Sequence, residues 1–89
     1  MARVSFTANL QRHLSCPDQT VPGSTVRAVL DQVFETEPLL RSYILDDQGR
    51  LRKHVAIYIN GDRLADRITL TDPVADADEV FVFQALSGG

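Results

Sequence analysis

The stretch from Val26 to Phe34 constrains the fold more than any other part of the chain. Its apolar residues, Val26, Val29, Leu30, Val33 and Phe34, recur at i, i+3, i+4, i+7 and i+8. That spacing puts them on one stripe of a helix and turns Arg27, Asp31, Gln32 and Glu35 outward. Gly23-Ser24-Thr25 precedes the stripe, and Ser24 or Thr25 can cap the first-turn amides. Pro38 ends it, because proline cannot continue a helix and drives Glu37 out of helical geometry. A single amphipathic helix needs one broad apolar surface to lie on. The flanking sequence supplies it as strands.

Arg3 to Asn9 alternates, with Val4, Phe6 and Ala8 on one side and Arg3, Ser5 and Thr7 on the other. Leu10 to Asp18 reads as a polar connection with a Pro17-Asp18 turn signal, and Gln19 to Pro22 as a short strand returning alongside the first. Beyond the helix, Leu39 to Leu45 suits a short helical turn, and Asp46-Asp47-Gln48-Gly49 a turn. Val55, Ile57 and Ile59 alternate with Ala56 and Tyr58 as a third strand. Asn60-Gly61, a pair that tolerates positive φ, closes it. A short edge strand is expected from Leu64 to Ile68. Leu70 to Asp78, with Asp72-Pro73 and further acids at 76, 78 and 79, reads as a loop or a short turn of helix.

Val80 to Leu86 is strongly apolar, as an interior strand would be. The order is strand, strand, helix, strand, short strand, strand. It is solved by a mixed sheet of four to five strands, the last beside and parallel to the first, with the main helix on one face. This is an α+β fold, the β-grasp. Phe6 and Phe34 belong to its core. Val80 and Val82 face the helix. Phe81, Phe83 and Ala85 share the opposite face with Ala56 and Tyr58, where exposed aromatic rings suit a partner-binding surface.

Composition narrows the function. The 89 residues fit one domain. No apolar run reaches the roughly 18–20 residues of a membrane helix, and the N-terminus alternates where a signal peptide would be uniformly apolar. A cytoplasmic protein is expected. Cys16, the single cysteine, excludes an internal disulfide or a four-cysteine cluster. His13 and His54 show no metal-ligand spacing and read as surface side chains, as the acids at 72, 76, 78 and 79 read as a solvated turn. The net charge is −3, and the densest basic segment, Arg50-Leu51-Arg52-Lys53, lies beside Asp46 and Asp47. Nucleic-acid binding is disfavoured, since neutralising phosphates takes a clustered basic surface. A mildly acidic protein is expected to dock on basic partners.

After the last strand come Leu86-Ser87-Gly88-Gly89. Two glycines without Cβ make a thin, flexible thread, which a carboxylate needs if it is to enter another protein's narrow active site. The ending from Asp78 to Gly89 (an acidic pair, an apolar strand, a Gly-Gly terminus) resembles that of the molybdopterin-synthase small-subunit and thiamine sulfur-carrier family. Val55 to Asp62 resembles its third strand and turn, and Thr25 to Val33 its helix. Ala77 departs from the family, which usually has Gly before the acidic pair. The extra length from Leu39 to Lys53 resembles the longer carriers of cysteine-forming or natural-product sulfur transfer.

The resemblance implies a ubiquitin-like β-grasp domain over residues 1–86 and a flexible Ser-Gly-Gly tail over 87–89. It implies that an E1-like enzyme uses ATP to adenylate the Gly89 carboxylate, that sulfur then replaces AMP to give a thiocarboxylate, and that an acceptor enzyme takes the sulfur. That acceptor would be a cysteine synthase or an enzyme similar to thiazole synthase or molybdopterin synthase. Gly89 would carry the sulfur, Gly88 would be the slender approach, and Ser87 and Leu86 would sit at the channel mouth. No cofactor is expected to be bound, no residue is expected to do acid–base chemistry, and the chain is expected to be a substrate of enzymes. The alternative is a ubiquitin-like modifier joined to lysines through Gly89.

Overall fold

Thr25 starts the main helix. Its extended backbone and its Oγ1, which accepts a hydrogen bond from the Ala28 amide at 3.1 Å, make it the cap. Helix α1 then runs Val26–Thr36 and stops at Glu37, one residue before Pro38. Val26, Val29, Leu30, Val33 and Phe34 are all buried, as the stripe requires. The computed structural model describes residues 1–6 and 18–84, residue 84 by its backbone alone. The other elements are β1 Ala2–Phe6, β2 Gln19–Val21, α2 Leu40–Ile44, β3 Val55–Ile59, β4 Asp62–Arg63 and β5 Glu79–Gln84.

The five strands form one sheet in the order β2-β1-β5-β3-β4. β5 lies in the middle, parallel to β1 (Arg3 opposite Glu79 through Phe6 opposite Val82) and antiparallel to β3 (Val55 opposite Gln84 through Ile59 opposite Val80). The β-grasp arrangement is therefore present, and among the described residues the sheet has five strands. Ala2, Val4, Phe6, Val21, Val55, Ile57, Val80 and Val82 share the buried core with the helix stripe. Burying a side chain of the size of Val, Leu, Ile or Phe contributes about 1.5–3 kcal/mol.

Three expectations need correction. The edge strand is Asp62–Arg63, directly after the turn, and Leu64 to Ile68 is not a strand. Asn60 and Gly61 both have positive φ, +51° and +87°, and join Ile59 to Asp62 as a two-residue hairpin. Pairing then ends because Asp66 organises the next residues into a loop. Its carboxylate accepts from the amides of Ile68, Thr69 and Thr71 and from the hydroxyls of Thr69 and Thr71. Those donations hold Asp66 far below the usual carboxylate range, the Thr69 hydroxyl contributing most and the Thr71 hydroxyl next.

Second, Arg27 does not simply face solvent. It is half-buried, and its guanidinium donates to the carbonyls of Gly49 (2.8 Å) and Thr69 (3.2 Å). Third, the 70–78 segment supplies core as well as loop: Leu70 and Val74 are buried, and Leu70 stands at φ +59°.

The long connection from residue 39 to residue 54 is built, not slack. Helix α2 buries Leu40 and Ile44. The Asp46 carboxylate accepts from the amides of Gln48 and Arg50, the Arg50 amide first among the causes that lower its pKa. Arginines bind the connection to itself and to the sheet. Arg52 Nε donates to the Ser42 carbonyl at 2.7 Å, and Arg67 donates to the carbonyls of Arg52 (2.7 Å) and Val55 (2.8 Å). No helix among the described residues is long and apolar enough to cross a membrane.

Candidate functional site

Because β5 is central and its side chains alternate, one half of them must leave the core. Val80 and Val82 point to the helix and are fully buried. Phe81 and Phe83 point the other way and keep 38% and 42% of their surface exposed. Their ring centroids lie 6.5 Å apart at an interplanar angle of 48°, a tilted pair within the favourable range for aromatics. Across the ladder Tyr58 stands opposite Phe81 and Ala56 opposite Phe83, both half-buried. The four described residues expected to form the partner surface, Ala56, Tyr58, Phe81 and Phe83, thus share one face.

The register adds neighbours that were not singled out as binding residues. Ser5 lies opposite Phe81 on β1, and Arg63 opposite Tyr58 on β4. The alternation of Arg3, Ser5 and Thr7 carried a signal for the first. Nothing in the sequence alone paired Arg63 with Tyr58, because the edge strand was expected two residues later. The other expected site residues, Ala85, Leu86, Ser87, Gly88 and Gly89, lie outside the described residues, as do His13 and Cys16, the 86/87 domain boundary and strand positions 7–9. What the structure fixes is their point of departure. Gln84 is the last residue of β5, opposite Val55, at the end of the sheet where β1 also finishes.

The other end of β5 is held by a polar knot around Asn60. Its amide donates to the Glu79 carbonyl at 2.8 Å, its Oδ1 accepts from the Glu79 amide at 2.9 Å, and its Nδ2 donates to Asp78 at 2.8 Å. Asp78 also accepts from the Ala75 amide at 2.7 Å, and this bond, followed by that from Asn60, lowers its pKa. Asp72 accepts from the amides of Ala65 and Asp66, both at 2.9 Å. Two of the acids read as a solvated turn, at 72 and 78, are therefore backbone caps. Among the described residues no group of His, Cys, Asp and Glu is placed to hold a metal ion.

Comparison with known proteins agrees with this geometry. The family model described as the ThiS family matches residues 4–89. Small archaeal modifier protein 1 of Haloferax volcanii is 33% identical over 66 residues, covering 74% of this chain and 71% of that protein. A crystal structure of the Haloferax volcanii modifier superposes with a TM-score of 0.79 at 28% identity, covering 99% of this chain and 98% of the other. A chain of the BexX/CysO complex of Amycolatopsis orientalis superposes with a TM-score of 0.84 over the whole of both chains at 20% identity, a likeness of fold. By residues, sheet order and these relationships, the chain belongs to the ThiS family of ubiquitin-like β-grasp proteins, as its helix, third strand and Gly-Gly ending suggested.

Proposed function

We propose that this protein is a cytoplasmic sulfur carrier that works through the carboxylate of Gly89. An E1-like enzyme uses ATP to form the Gly89 acyl-adenylate, releasing pyrophosphate. The step is needed because a free carboxylate is a poor electrophile, whereas AMP is a good leaving group. Attack by hydrosulfide on the acyl carbon displaces AMP and, with loss of the sulfur's proton, leaves a thiocarboxylate. An acceptor enzyme, a cysteine synthase or one similar to thiazole synthase or molybdopterin synthase, then takes the sulfur. The chain itself is a substrate in each step and no catalyst.

The observation that carries this reading is the position of the aromatic pair. Phe81 and Phe83 sit on the open face of the strand that leads to Leu86-Ser87-Gly88-Gly89, in a chain of the ThiS family. A partner that covers Phe81, Phe83, Tyr58 and Ala56, with Ala85 and Leu86 next along the chain, has the terminus in its grasp. A fold relative occurs in a complex with a second protein, BexX, in keeping with such docking.

The test is incubation with the E1-like enzyme of the same organism, ATP and a sulfide source, followed by intact-mass measurement. Replacement of one oxygen by sulfur at Gly89 is expected, together with AMP release. A chain lacking Gly88-Gly89 should give neither. If the full chain gains no sulfur and instead is recovered joined to lysines of other proteins, the carrier reading fails.

A further inference from the structure

Charge is unevenly distributed over this domain. The end of the sheet that holds the Asn60-Gly61 turn and the start of β5 carries Asp62, Asp76, Asp78 and Glu79, together with the Met1 ammonium paired to Asp76, Arg3 opposite Glu79, and Arg63. The opposite end, where β5 finishes at Gln84, carries Arg52, Lys53 and His54, immediately before Val55, the partner of Gln84.

The three basic residues are also firmly mounted. Arg52 N donates to the Ile44 carbonyl at 3.1 Å, and Val55 N donates back to the Arg52 carbonyl at 3.0 Å, closing a tight turn with Lys53 and His54 at its tip. Arg67 holds the carbonyls on both sides of that tip, and Arg52 Nε is fixed by Ser42. Lys53 and His54 are exposed, and among the described residues no carboxylate pairs with Arg52, Lys53 or His54. Two shallow depressions flank the turn: one of about 270 Å³ lined by Ser42, Tyr43, Arg52 and His54, and one of about 330 Å³ lined by Leu51, Arg52, Lys53, His54 and Asp46, whose carboxylate is already bound to Arg50. A fixed backbone presenting Arg52 and Lys53 without a carboxylate partner loses little freedom on binding.

We infer that Arg52, Lys53 and His54 form a docking rim beside the departure point of the tail, and that the rim fits Asp and Glu side chains around the channel mouth of the E1-like activating enzyme. This rests on the proposed function. The activating enzyme is the fitting partner because it must capture the free carrier from solution, where charge governs the encounter rate. An acidic mouth that meets this rim brings the departure point of the tail to the channel.

The test measures AMP formation by the E1-like enzyme, supplied with ATP and a sulfide source, as a function of carrier concentration, with the full chain and a Lys53→Glu/His54→Glu variant. The variant is expected to raise KM about tenfold at low ionic strength with kcat unchanged, and the gap should close as salt is added. Lys53→Gln/His54→Gln should shift KM in the same direction by less. Gln32→Glu, which adds a negative charge on the outward face of α1, should match the wild type. Unaltered thermal melting of the double variants separates docking from folding. A double variant that matches the wild type at every ionic strength, or that does no worse than Gln32→Glu, overturns the rim while leaving the carrier reading intact. Absence of AMP with the wild type removes the carrier reading, and the rim with it.

Discussion

Ala77 stands at φ +70°, in the left-handed region where a side chain crowds its own backbone. Its amide donates to the Met1 carbonyl at 3.1 Å, so the conformation is tied to the edge of β1. Glycine adopts this conformation freely. Ala77→Gly removes a penalty of about 1 kcal/mol or more and adds about 0.4–1 kcal/mol of unfolded-chain entropy. The expected outcome is a small gain in stability, about 0.5 kcal/mol, read as a rise in the urea midpoint at constant slope. Asp66 makes a second prediction. Its carboxylate, like those of Asp78 and Asp46, binds protons more weakly in the folded chain than in the unfolded one. The stability these groups contribute is fully present above their ordinary value of 3.8 and is lost as pH falls below it toward the lowered folded values. Melting temperature should therefore be flat from neutral pH to about pH 5 and fall steeply in acid. Asp66→Asn, which cannot accept all five donations, should melt lower at pH 7 and show a shallower acid limb.

Among the elements, α1 is fitted most closely at its start. A Cβ added to Gly23, at φ +148°, would meet Val29 Cγ2 and the Val29 amide nitrogen, both at 2.9 Å. Gly23→Ala must push the first turn of the helix from its seat, and we expect a loss of about 1–3 kcal/mol by denaturant unfolding. Ile57→Ala, at a fully buried site in β3, should cost about 2–5 kcal/mol in the same measurement. The elements written in side-chain period were legible beforehand. The five-residue stripe gave α1, the alternation gave β1 and β3, and the apolar run gave the central β5. What was illegible depended on side chains meeting backbone far away in sequence. Asp66 ended β4 early through five donors within its own loop, and Arg27 reached Gly49 and Thr69 across the fold. Neither contact has a periodic signature. The aromatic face was readable as alternation, but Arg63 beside Tyr58 depended on a hairpin register that only the two-residue turn sets.

For the molecule as a whole, the sheet has one face sealed by helix and another on which Phe81 and Phe83 stay exposed. Under the proposed function, Phe81→Ala and Phe83→Ala should each weaken binding to the activating or acceptor enzyme at least tenfold by titration calorimetry, the effect expected of central aromatic anchors. Each should cost the fold only about 1 kcal/mol through the lost cross-strand pairing. Charge reads differently at this scale than in the sum. A net of −3 pointed to basic partners, yet Arg52 and the exposed Lys53 stand at the end where β5 finishes.

The parallel pairing of β5 with β1 has one more consequence. Until Glu79–Gln84 takes its place, the first hairpin and the third strand have no common neighbour, and the helix has half a floor. A chain interrupted before that point cannot assemble its sheet. The strand that mounts the terminus is thus also the keystone, and under the proposed function an enzyme that grips this face inspects the fold as it loads it, passing over unfinished or unravelled copies.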